Sequence, residues 1–229
     1  MNELLGISSA GLLRLLQMAS PALPIGTFAY SHGLEAAVVN GWVHDSASAA
    51  AWIDGIVGHS FGGCDVPVLA RMYGALQRAD ASEVKAWNDW LFAARPTSEL
   101  RSEDRQLGTA LARLLVSLGL SEASSFCHDP STTYACVFAT AAVAWGIPLE
   151  AAAFAFLFTW AEAQVSAAVR LVPLGQTDGQ RILSALLPSI DRAILDGLSR
   201  EDEEIACGMM GHAIASALHE TQYTRLFRS

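Results

Sequence analysis

SELRSEDRQLGTALARLLVSL, residues 98–118, sets Leu100, Leu107, Leu111, Leu114, Leu115 and Leu118 at helical spacing. Leucines three, four and seven positions apart share one face of a 3.6-residue helix, whereas a strand would need alternation. Thr97 or Ser98 can cap this helix, and Glu99 lies in its first turn, where a negative charge suits the helix dipole. The same period recurs on both sides. Upstream it groups Leu12, Leu15, Leu16 and Ala19, then Ile53, Ile56, Val57 and Ser60/Phe61, then Val68, Leu69, Met72, Tyr73 and Leu76. Downstream it groups Leu183, Leu186, Leu187, Ile190, Ile194 and Leu198, and finally Ile205, Met209, Ala213, Ile214 and Ala217.

Start and stop signals fit this reading. Asp45-Ser46 can cap a third helix, and Thr177-x-x-Gln180 reads as a capping box. Breaks fall at Ser20 to Gly26, at Gly62-Gly63, at Arg95-Pro96, across Gly119 to Pro130, and at Leu174-Gly175-Gln176. The Ser20–Gly26 and Pro173–Gln176 segments read as inter-helix turns. The sequence therefore predicts an all-α, single-domain bundle of about ten helices over residues 1–229, with no repeat and no long linker.

Of the 229 residues, 52% are apolar and 16% charged, and the formal net charge is −9. The mean hydropathy is +0.32. High apolarity with low charge is the opposite of a disordered composition. The acidic balance argues against nucleic acid, which needs a basic surface. Lys85 is the one lysine, and no glycine run leads into it, so no phosphate-cradling P-loop exists. Two uncharged runs, Pro130–Leu149 and Ala151–Ala161, read as neighbouring buried helices rather than a membrane span. Threonines and serine interrupt the first run, and Gly146-Ile147-Pro148 breaks it. The opening residues lack a basic n-region followed by an apolar stretch, which predicts a cytoplasmic chain. Cys64, Cys127, Cys136 and Cys207 are scattered and read as free, mostly buried thiols rather than a zinc site.

Several residue groups invite chemistry. Gly58-His59-Ser60-Phe61-Gly62 has the Gly-x-Ser-x-Gly spacing of a nucleophile elbow, but that device needs a strand turning into a helix. Here helical period precedes it, so the reading is a helix ending at glycines. His212 and His219, with Cys207 nearby, could contribute to a transition-metal site, although three or four converging ligands are required. Polar surface residues near a helix end is the competing reading, and Cys127-His128 is a loop pair. Glu99, Arg101, Glu103, Asp104 and Arg105 read as a solvated face of mixed charge. Ser199 to Glu204 reads as helix-start acidity without a function. Thr221 to Ser229 carries Tyr223, Arg225, Leu226, Phe227 and Arg228, a basic-aromatic tail of the residue types found in interface cores. It reads as a partner-binding or self-docking segment.

Four blocks in order carry a family resemblance. Leu15–Gly26 with Phe28–Glu35 resembles the opening of the UreF urease accessory family, and Glu99–Gly108 is similar to its central Glu-Leu-Arg motif. Gln164–Gln176 resembles its third block, and His219–Ser229 its tail. Pro96 and Thr27 depart from the pattern, and Ser121–Pro130 shows no family signal. The resemblance implies a helical, non-enzymatic scaffold that dimerises and binds UreD (UreH in some systems). It would recruit the GTPase UreG, modulate its cycle, and dock on apo-urease during nickel insertion, with no tightly bound cofactor and nickel handled indirectly. It implies that Tyr223, Arg225, Leu226, Phe227 and Arg228 order against UreD. Tyr30, Ser31, His32 and Glu35, with Glu99, Arg101, Arg105 and Gln106, would belong to a partner or dimer surface. Two alternatives stand beside it: a direct nickel carrier using His212, His219 and Cys207, and a helical serine hydrolase using Ser60.

Overall fold

The computed structural model describes residues 6–206 and 208–229. They form ten α-helices: α1 (Ser9–Met18), α2 (Leu34–Val39), α3 (Ser46–Ile56), α4 (Val66–Gln77), α5 (Ala81–Ala94), α6 (Ser98–Ser117), α7 (Tyr134–Ala144), α8 (Leu149–Leu171), α9 (Gln176–Ser199) and α10 (Met210–Glu220). No strand occurs among the described residues. The leucine period that predicted an all-α bundle is matched by α6 and α9, whereas the predicted Ile205–Ala217 helix begins only at Met210, with Ile205 and Met209 before it.

Local chemistry sets the boundaries. The Asp45 carboxylate accepts the Ser48 N–H at 2.8 Å, and Thr97 Oγ1 accepts the Leu100 N–H at 3.2 Å, capping α3 and α6. Helix α9 begins two residues earlier than the Thr177–Gln180 box predicts. Gly175 is its N-cap, and the Asp178 carboxylate reaches back to the Gly175 N–H at 3.3 Å. The Gly119–Pro130 break contains a short 3-10 helix, Ser121–Cys127.

Gly62-Gly63 does not end a helix. The chain runs from α3 to α4 through a π-helical segment, Val57–Asp65. These glycines serve close packing: a Cβ on Gly62 would lie 3.0 Å from the Ala193 Cβ, and one on Gly63 only 2.7 Å from the Ala206 carbonyl oxygen. The sequence signal for a break was therefore a signal for close approach of α9 and the chain beyond it.

Helix α7 is the centre of the molecule. Ala135 through Ala142 are all buried, and α4, α6 and α8 surround them. A helix enclosed on all sides has no polar face, which explains the uncharged run. Helix α8 is long and apolar enough to cross a membrane by length and composition, yet it packs along α9 with most of its apolar stretch inside the fold. Cys127 and Cys136 are free thiols. Cys64 is disulfide-bonded, against the free-thiol reading; four cysteines this scattered give no spacing that would announce a pair. On α1, Gly11 and Met18 are buried and Leu15 and Ala19 pack against the core, while Leu12, Leu13 and Leu16 are exposed, so the predicted stripe is only half covered.

Candidate functional site

Two consecutive left-handed residues build the site. His32 has φ +54° and Gly33 φ +79°, and for histidine this conformation is uncommon. The reversal starts α2 so that Ser31, His32 and Glu35 all point inward, and each is buried. Tyr30, also buried, donates its hydroxyl to Gln106 Oε1 at 2.9 Å.

Glu35 then anchors the end of the chain. Its Oε1 accepts the Leu226 N–H at 2.8 Å and the Gln222 side-chain amide at 3.1 Å. Its Oε2 accepts the Phe227 N–H at 2.8 Å. Ser31 donates both its N–H, at 2.8 Å, and its hydroxyl to the Ser229 carbonyl, while the Arg228 N–H bonds to the Ala29 carbonyl at 2.8 Å. The Ser229 hydroxyl donates to Glu103. Phe227 is buried beneath the Arg170 guanidinium, 4.3 Å from its ring centroid. The basic-aromatic tail is seated on its own chain, with Tyr223 and Leu226 left exposed.

The head of α6 is tied to the same place. His219 is fully buried, with Nδ1 2.7 Å from Glu99 Oε2 and Nε2 3.4 Å from Glu35 Oε2. Arg225 joins Glu99 Oε1 at 2.5 Å and holds the Gln222 and Glu220 carbonyls. Glu220 accepts the Ser98 hydroxyl and the Glu99 N–H.

Behind this lies a second polar layer. His32 Nδ1 is 3.2 Å from Glu103 Oε1, and its ring stacks on His212 at 4.6 Å. Burial first, and the neighbouring His32 and Arg95 next, hold His212 well below the usual histidine range, and its Nε2 has no hydrogen-bond partner among the described residues. Arg95 bridges Asp65 at 2.6 Å and Asp104 at 2.8 Å. Burial alone would lower the guanidinium, but the two carboxylates hold it above its ordinary value. Burial pushes the Asp104 carboxyl up, and Arg95 pulls against that shift.

Most of the residues singled out by sequence converge here, though not as surface groups. Glu99, Glu103 and Asp104 lie inside rather than on a solvated face, because α6 turns them towards α10, the tail and Arg95. His212 and His219 are core residues, not surface ones. Arg101 donates to the Arg95 carbonyl, and Arg105 is exposed. The Arg95–Asp65–Asp104 triad was missed by sequence reasoning, since thirty residues separate Asp65 from Arg95 and no motif links them. Cys207 lies outside the described residues.

The arrangement ties α2, the head of α6, α10 and the tail to one another. Among the described residues, no group of three or more histidine, cysteine or acidic side chains could hold a metal ion. Both ring nitrogens of His219 already face carboxylates. Ser60 lies in the π-helical segment, and no described side chain hydrogen bonds to it as a nucleophile's base would.

The UreF family model matches residues 43–187. Urease accessory protein UreF of Alkalilimnicola ehrlichii is 50% identical over 216 residues, covering 94% of this chain and 95% of its own. That of Chromohalobacter salexigens is 44% identical over 94% of this chain and 93% of its own. That of Teredinibacter turnerae is 44% identical over 95% of this chain and 98% of its own.

Proposed function

The chain belongs to the UreF family of urease accessory proteins, and from that premise we propose that it acts in urease maturation as a cytoplasmic, non-catalytic scaffold. In this reading it binds UreD (UreH), recruits UreG and modulates its GTPase cycle, and docks as a dimer on apo-urease while nickel, the cargo, passes between its partners. One observation carries the reading. Met210, Ile214 and Leu218, four residues apart along α10, are exposed, and the exposed Tyr223 and Leu226 follow them on the seated tail. A stripe of large apolar side chains held on a rigid ledge is the composition of an interface core rather than of ordinary surface. Glu35, His219 and Glu99 fix the ledge from inside, so UreD meets a surface already formed and the ordering entropy is small.

Direct nickel carriage is the weaker account, because His212 and His219 are buried and, among the described residues, no group of three or more histidine, cysteine or acidic side chains could hold a metal ion. A pull-down of UreD and UreG on the tagged chain, with urease activation in a strain lacking it, tests the scaffold. Retention of both partners and loss of activation in the deletion strain support it, and failure of either refutes it.

A further inference from the structure

A groove of about 510 Å³ runs between the Ile25–Tyr30 turn, the outer face of α6 and the tail. Arg105, Arg113 and Arg228 line it, with Thr109 and Ala110 between the first two. Arg71, Arg78, Arg95, Arg181 and Arg225 each pair with a carboxylate. None of the three groove arginines has an ion pair among the described residues, a trait shared with Arg14, Arg101, Arg170, Arg192 and Arg200, but here three guanidiniums share a lining that holds no carboxylate. In a chain of net charge −9, unpaired guanidiniums gathered in one concave site stand against the overall field. The exposed Phe28 adds an apolar wall.

We propose that this groove binds an acidic segment of a partner protein. Arg105 and Arg113 are eight residues apart on one helix, which places them about 12 Å apart along its axis. An extended chain rises about 3.3 Å per residue, so carboxylates roughly four positions apart in the segment reach both guanidiniums. Arg228, fixed by its backbone bond to Ala29 and with its guanidinium reaching Gln106 Oε1 at 3.5 Å, closes the end of the groove and adds a third positive charge there. A long polyanion such as nucleic acid is disfavoured, because the acidic surface beyond the groove repels it. From the scaffold reading the proposal takes only that the partner is a protein.

The test is fluorescence anisotropy of a fluorescein-labelled octaglutamate peptide with the full-length chain at low salt. The wild-type chain gives saturable binding that weakens as salt rises. Arg105→Glu with Arg113→Glu weakens it by about tenfold or more, whereas Arg181→Glu, an exposed arginine on α9, changes it less than about twofold. Unchanged thermal melting certifies the variants, and Arg105→Gln with Arg113→Gln replaces any that melt early. Absence of binding, equal weakening by Arg181→Glu, or equal binding of an oligothymidylate of the same charge would overturn the proposal. The scaffold reading would survive each of those results, since it falls separately on the activation assay.

Discussion

Nε2 of His219 lies 3.4 Å from Oε2 of Glu35, and that same oxygen accepts the Phe227 N–H at 2.8 Å. One carboxylate on α2 therefore fixes both α10 and the tail beyond it. Because the carboxylate is buried, its hydrogen bonds are stronger than exposed ones, and removing it leaves several donors without a partner.

Glu35→Gln keeps the size of the side chain but loses two acceptor positions and the charge facing His219. The global cost should be about 1–3 kcal/mol. The sharper signature is local: backbone amides of Leu226 and Phe227 should exchange with deuterium much faster, while those of α7 speed up only as far as global stability falls. Unchanged exchange at Phe227 would show that Glu35 does not hold the tail.

Phe227→Ala removes a buried ring and its contact with Arg170. A loss of about 3–5 kcal/mol is typical when a large aromatic side chain is truncated in a core, with the lower end suiting a terminal segment that can move away. Denaturant unfolding measures it. Tyr223→Ala, at a fully exposed position, should leave stability unchanged in the same titration.

Arg95→Met should be severe, about 3–5 kcal/mol, because it strands Asp65 and Asp104 as buried unpaired carboxylates. Replacing all three, Asp65→Asn and Asp104→Asn with Arg95→Met, should recover much of the loss. Failure to recover would mean that shape rather than charge makes the triad necessary.

His212 gives a pH dependence with a definite sign. Its folded-state pKa is depressed, so the folded protein keeps it neutral where the unfolded chain already binds a proton. Stability contributed by neutral His212 is complete above about pH 6.5 and falls as pH drops below it, by at most about 1.4 kcal/mol per unit. Urea unfolding at pH 7.5 and 5.5 should show a steeper loss for the wild-type chain than for His212→Gln. Equal slopes would place the acid sensitivity elsewhere.

The helices were legible because leucine and alanine repeat at 3.6 residues through segments as long as Ser98–Ser117, and the Asp45 and Thr97 caps are local events. The π-helical passage was not, because Gly62-Gly63 carries the same letters whether glycine breaks a helix or admits Ala193. The site was legible as a set of blocks but not as a geometry. Glu35, Glu99 and His219 come from three distant stretches, and a charged residue on a helix reads as solvated until its partner is known. Arg95 and Asp65 give no signal at all in sequence, since burial and pairing are both products of the fold.

The central claim is that α10 and the seated tail present a preformed docking ledge for UreD. Co-purification of UreD on a chain carrying Ile214→Asp and Leu226→Asp, two exposed positions, tests it most directly, with a chain truncated after Gln222 as the companion. The account predicts that both lose UreD while the double variant melts at the wild-type temperature. Full retention of UreD by a correctly folded double variant would contradict it.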